Sequence, residues 1–398
     1  MRFQAMRPFF LLVLMMICAF IVSCGGDDEE IEMMTQEEIV LSTRAEGPPV
    51  KLRERIDPPL SSFPEGIRHS IPLEDIVFPG VPVDVIYALT DPKSVPADSP
   101  EASYLKDTDR VLGITINRKS RAYPIKILNW HEVLNDQIFG APVLVTFCPL
   151  CGTGITFDPQ FDKSRRHIFG VSGYLYNSDL LLYNRETHEE WYWHEDKTTT
   201  LWSQILGEAV IGPFTGIKLK TIPTTHTTWK EWQTMHPDTT VMSEDTNFPA
   251  HYDFNPYEGY DPGDGAPFHV TNEDARLPNN ALVHGLNLNG EQKVYPLAIL
   301  EEQQVVNDRL GGVALLIVTT PGSRTVRIYN RKGHRFSGDF NRIVDEKGHQ
   351  WEFREEILRN SVTGEVLKRV SGGMDSFWFG WVAFFPNTLI YDAVGTIK

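Results

Sequence analysis

"GITINRKSRAYPIKILNWHEVLNDQIFGAPVLVTFCP" spans Gly113–Pro149, and "GLNLNGEQKVYPLAILEEQQVVNDRLGGVALLIVTTP" spans Gly285–Pro321. The two align without a gap at an offset of 172 residues. Twelve positions are identical, among them Tyr123-Pro124/Tyr295-Pro296, Asn135-Asp136/Asn307-Asp308 and Gly140/Gly312. A second pair of blocks follows in the same order. "TTWKEWQTMHPDTTVM" (Thr227–Met242) matches "SFWFGWVAFFPNTLIY" (Ser376–Tyr391) at an offset of 149, with Trp229/Trp378, Trp232/Trp381, Pro237/Pro386 and Thr239/Thr388 in register. Two blocks repeated in one order indicate an internal duplication. The smaller second offset means that the first copy carries extra residues, part of them in "HEEWYWHEDKTTT" (His188–Thr200).

Each copy has a β-rich pattern. "VLGITIN", "APVLVTF", "GITFD", "RHIFGVSG" and "LLLYN" are short, rich in β-branched and aromatic residues, and bounded by turn formers. "ILNWHEVLND" places Ile127, Trp130, Val133 and Leu134 at helical spacing, so a short helix is expected there. Thr227 or Thr228 can cap a second helix that stops before Pro237. The expected fold is mainly β (α+β): two related β-rich modules with short helices. Module boundaries are expected at 67–262 and 263–398.

The duplication separates scaffold from chemistry. Tyr-Pro and the tryptophan pairs persist in both copies, as a fixed φ and a packed aromatic require. Cys148, Cys151 and His131 do not persist. They align with Thr320, Ser323 and Gln303. A site kept in one copy explains the pattern, and drift at unused polar positions is the plainer alternative.

Three chemistries fit Cys148-Pro-Leu-Cys151. A knuckle-like turn aims two thiolates at one ion, with His131 as the best further ligand and His167 a weaker one. Such a set suits copper or zinc. Alternatively the pair is a thiol redox centre, with Cys148 as nucleophile and His131 as its base. "GTGITFD" after Cys151 reads as turn and strand, so the helix that lowers thiol pKa values in redox CxxC motifs is missing. The third option is a local disulfide on a non-catalytic binding protein, with the aromatic "EEWYWHED" (Glu189–Asp196) as a contact loop for an unidentified protein or small molecule. Asn177, Ser178 and Asp179 interrupt the apolar run "YLYNSDLLLY"; they line a cleft or, the commoner use of such residues, form a turn. No phosphate loop, nucleotide fingerprint or serine-hydrolase elbow is present, and the sequence does not identify an enzymatic reaction.

The N-terminus bears on compartment. Arg2 and Arg7 precede an apolar stretch, Pro8–Val22, that is short for a membrane span. It ends in Ile21-Val22-Ser23-Cys24, which resembles a lipobox. This predicts a lipoprotein signal peptide over 1–23, a lipid on Cys24, and a peripheral anchor on the bacterial outer membrane, at its surface or its periplasmic face. Residues 24–66 begin "CGGDDEEIEMMTQEE" and become proline-rich, the composition of a solvated tether. The formal charge of −16 repels phosphate backbones and argues against a nucleic-acid partner.

Taken together, "NWHEVLND", "VTFCPLCGTG", "FGVSGYLYNSDLLLYNRET", "LWSQILGEAVIGP" and "WKEWQTMHPDT" resemble the bacterial domain-of-unknown-function 3179 family. The resemblance covers nearly all of the chain after the tether. It implies a His-Glu motif paired with Cys-Pro-Leu-x-Gly-[Thr/Ser]. The x, threonine in many members, is Cys151 here. The resemblance supplies no activity.

The lipobox reading is checked by replacing Cys24 with alanine and fractionating cells. Loss of membrane association with accumulation of unprocessed precursor is expected. Retention in the membrane without precursor would refute it.

Overall fold

A Tyr-Pro pair closes one β-hairpin and opens a short helix in both halves of the chain. The computed structural model describes Phe63, residues 66–162, 165–185 and 200–392, and the backbone of 396–397. The leader, Cys24, most of the tether and the Glu189–Asp196 segment lie outside the described residues. In the first half, strands Arg110–Ile116 and Lys119–Pro124 pair antiparallel, and helix α1 (Ile125–His131) follows. Strands Val133–Ile138, Ala141–Cys148 and Thr153–Asp158 then form a meander. In the second half, Leu282–Leu288, Glu291–Pro296, a helix (Leu297–Glu302) and the meander Val305–Leu310, Val313–Thr320, Thr325–Asn330 follow in the same order. Proline suits the start of each helix because its fixed φ is compatible with helix entry and its missing N–H is not needed there.

Registers coincide as well as order. Val111 pairs with Pro124 as Val283 pairs with Pro296. Cys148 faces Thr153 as Thr320 faces Thr325. Thr240 pairs in parallel with Arg121, and Leu389 with Lys293. The residues shared between the halves explain this agreement. Tyr123 and Tyr295 are fully buried and donate to Asp136 (2.7 Å) and Asp308 (2.9 Å). Asn135 clamps the backbone N–H and C=O of Phe169, both at 2.8 Å, and Asn307 does the same to Phe336 at 2.8 and 2.7 Å. The shared tryptophans are core: Trp232 and Trp381 each donate to a threonine, Thr239 and Thr388, at 3.0 Å.

Those indoles lie flat against Gly113 and Gly285. A Cβ added at either glycine would sit 2.2 Å from the ring. Glycine is required here because the backbone meets the ring face directly. One α-helix has a side-chain N-cap. Thr228 accepts from the N–H of Glu231 at the start of Trp229–Met235.

The halves meet through a buried polar seam. Asp375 accepts from His284 Nδ1 at 2.8 Å and lies 3.6 Å from His226 Nδ1. The backbone N–H of Phe377 donates to the carbonyl of Cys151 at 2.8 Å, so the second half's helix Trp378–Phe384 begins on the first half's cysteine turn. No helix among the described residues is long and apolar enough to cross a membrane.

Gly113→Ala is expected to destabilise the fold by about 3 kcal/mol, the upper range for overpacking a core. The urea midpoint measures this, and an unchanged midpoint would show that the ring–backbone contact is not limiting.

Candidate thiol and carboxyl site

Cys148 ends the Ala141–Cys148 strand, and Pro149-Leu150 carries the chain through a turn to Cys151. Gly152, at φ 67°, then re-enters the sheet at Thr153. Both cysteines are free thiols, with relative exposures of 1% and 0%.

The third member comes from a different sheet. Strands Phe169–Tyr176 and Asp179–Asn184 form a hairpin closed by Asn177 and Ser178, at φ 54° and 61°. Two consecutive left-handed residues define the turn type that matches strand twist. The turn expected from the sequence is present. It is also buried, and it delivers Asp179 to the cysteines. The two Sγ atoms and one Asp179 carboxylate oxygen all lie within 4.8 Å of one another. The Ser178 carbonyl lies 3.4 Å from Cys151 Sγ and 3.9 Å from Cys148 Sγ.

Among the described residues no positive group is seen to offset these acids. Burial pushes both thiols above their ordinary pKa, Cys151 the further. Burial likewise lifts the Asp179 carboxyl from 3.8 to about 8. Its Oδ2 accepts from the Ile205 N–H at 3.0 Å, and this bond and one from the Cys148 thiol partly offset the rise. Glu132 adds a fourth acid to the neighbourhood. Burial raises its pKa from 4.5 to about 7, partly offset by the Tyr257 hydroxyl at 3.2 Å. The charges of Glu132 and Asp179 both oppose ionisation of Cys148. Glu132 holds φ 55° and ψ −35°, outside the regions L-residues favour. Its N–H donates to Leu128 and its carbonyl accepts from Phe147, both at 2.8 Å, so its neighbours hold it there. Such a conformation costs about 1–3 kcal/mol.

His131 is placed differently from the sequence-based expectation. Its Nδ1 lies 2.6 Å from the Tyr87 carbonyl, which can only accept, so Nδ1 carries the proton. Nε2 therefore accepts from the Tyr252 hydroxyl at 2.7 Å. Both nitrogens are engaged, and burial lowers the imidazole pKa to about 4. Phe248 packs edge-on at 5.0 Å. The ligand-type cluster contains Asp179 in the place assigned to His131. His167 pairs with Asp162 at 3.0 Å and stacks on Phe161.

The corresponding place in the second half is filled by an ion pair. Thr320 and Ser323, which stand where the cysteines stand, both donate to Glu231. Thr325 does so at 2.7 Å and Arg327 at 2.9 Å. Burial opposes the Glu231 charge, but Arg327 and the hydroxyls outweigh it and hold the pKa below its ordinary value. At the 149-residue offset Glu231 corresponds to Gly380. A Cβ at Gly380 would lie 3.2 Å from Cys151 Sγ. One turn is thus sealed by a carboxylate, the other by bare backbone.

The raised carboxyl pKa values make a pH prediction. Between about 4 and about 8 the folded protein holds protons at Asp179 and Glu132 that the unfolded chain has lost. These groups therefore make metal-free stability fall as pH rises through that window. Asp179→Asn is expected to become progressively more stable than the parent from pH 4.5 to 8.5, as read by urea midpoints. A pH-independent difference would place Asp179 outside this account.

No curated protein and no solved structure matches this chain. One family model does, across residues 83–388, and its span includes every residue of the site just described. The chain therefore belongs to the family described as protein of unknown function DUF3179.

Proposed function

We propose that Cys148, Cys151 and Asp179 bind a single thiophilic cation, zinc or copper(I), in an exported protein tethered to the outer membrane by a lipid on Cys24. The observation that carries the site is the convergence of three acidic donors within 4.8 Å, fully buried and, among the described residues, with no positive group seen to offset them. Burial favours the protonated forms of all three groups, and a bound cation would let them ionise together. Two thiolates and a carboxylate suit zinc, and the sulfurs alone suit copper(I). The Ser178 carbonyl, beside both sulfurs, is a ready fourth donor. Thiol redox catalysis is less well supported. Reactive thiols sit in electropositive, partly exposed surroundings, whereas these are buried beside two carboxyls.

Only the signal and lipobox residues support the anchoring half of the proposal. In that setting the tether holds the metal-binding body within a short distance of the membrane.

Protein purified under reducing conditions is expected to hold one equivalent of metal. Cys151→Ser and Asp179→Asn should each lower affinity at least tenfold, while His131→Ala leaves occupancy near that of the parent. Elemental analysis with thiol titration checks this. Binding should tighten as pH rises, because the ligands must shed protons. Metal-free protein with an oxidised cysteine pair would refute the proposal.

A further inference from the structure

Nothing can enter the site as it stands, because every donor is sealed from solvent. Most of the seal is regular structure. Cys148 and Thr153 lie in the middle of a five-stranded sheet, and the Asn177-Ser178 turn closes a long hairpin. The helix Trp378–Phe384 packs backbone against sulfur at Gly380. The remaining cover is the connection between the halves, residues 243–281. Its only regular element is a single turn at Pro262–Asp264. Structureless connections longer than ~12–15 residues are uncommon in folded domains and are often functional lids.

This connection touches each part of the site in turn. Tyr252 donates to His131, Tyr257 to Glu132 at 3.2 Å, and Tyr260 to the Leu150 carbonyl, inside the cysteine turn, at 2.9 Å. Phe268 exchanges two 3.0 Å bonds with the Ser178 hydroxyl. From 252 to 268, by contrast, its backbone-to-backbone bonds are all local: Phe254 to His251, Glu258 to Asn255, Tyr260 to Tyr257 and Gly265 to Pro262. Side chains, not a strand ladder, tie this stretch to the body. Gly259 and Gly265 have φ of 78° and 131°, with open space where a Cβ would lie.

We propose that residues 252–268 are the gate of the cysteine site. The segment lifts as a unit to admit the ion, and the Tyr257 and Tyr260 hydroxyls are its latches. Opening breaks these bonds and those of Trp130 to Phe254, Lys126 to Asp253 and Asn280 to Asp261, and it uncovers Tyr252 and Tyr257. It leaves every sheet intact, however, and so costs less than unfolding. The role assigned to the gate rests on the cation reading, but its motion does not.

Thiol labelling of the metal-free full chain tests the gate. N-ethylmaleimide modification of Cys148 and Cys151 is followed by mass spectrometry of the peptides. Asn129 and Asn255 touch at 3.0 Å across the gate's outer edge, which places a crosslink there. N129C/N255C joined by a short bifunctional thiol reagent is expected to label at least tenfold more slowly than the parent. Tyr257→Phe with Tyr260→Phe is expected to label at least tenfold faster. Parent labelling should depend on urea far more weakly than global unfolding does. An unchanged rate in the crosslinked protein, or labelling that tracks global unfolding, overturns the gate. Where the tyrosine variant does not fold, the crosslinked protein and the urea series decide. Gated labelling in a protein that binds neither zinc nor copper(I) would sink the cation reading and leave the gate standing.

Discussion

A thiol or carboxyl group withdrawn from water resists ionisation, and this fold withdraws four of them into one place. Cys148, Cys151, Asp179 and Glu132 are all buried, and among the described residues no positive group is seen to offset them. The rest of the core shows that the chain can pair buried charge where charge is structural. Arg327 joins Glu231 and Glu355 at 2.9 and 2.7 Å, and Arg121 meets Asp136 at 2.6 Å. The acids near the cysteines are therefore conspicuous. Without a cation burial favours their protonated forms, and the two carboxyls make stability fall as pH rises toward about 8.

The two halves show how one frame yields a site once. The hairpin after the meander has strands of eight and six residues in the first half, Phe169–Tyr176 and Asp179–Asn184. Its counterpart, Phe336–Asp339 and Arg342–Asp345, has four and four. Both start from the same asparagine clamp. Four further residues extend a strand by about 13 Å, and that reach brings the turn and Asp179 to the cysteines. Thr320 and Ser323 meet Glu231 instead. Their identities are not drift, since each hydroxyl is bonded to that carboxylate.

Much of this frame was legible from residues 113–149 and 285–321. The ungapped repeat encodes hairpin lengths, and hairpin lengths encode register. The glycine that meets each tryptophan, the Tyr-Pro junctions and the Asn-Asp pairs stand in both copies because each makes the same contact in both halves. Asp179 was visible only as a member of a turn. Its convergence with Cys148 depends on how far a hairpin from another sheet projects, which no local pattern records. His131 misled for the converse reason. Its nearness to the cysteine strand in sequence is real, but the helix turns the ring toward Tyr87 and Tyr252. Tyr257 carried no signal, since its partner Glu132 lies 125 positions away.

The same long-range packing bears on the chemistries that the Cys-Pro-Leu-Cys motif leaves open, and it favours the proposed cation. A redox pair needs a thiolate at ambient pH and contact with a partner disulfide. Burial and two neighbouring carboxyls oppose the first. A structural crosslink would not need Asp179 beside the sulfurs. The proposed cation would use these features together: Cys148, Cys151 and Asp179 would hold it once deprotonated, and it would offset the charge their burial disfavours. The strained Glu132, held by Leu128 and Phe147, is bonded by Tyr257 and so ties the proposed gate to the acids around Cys148.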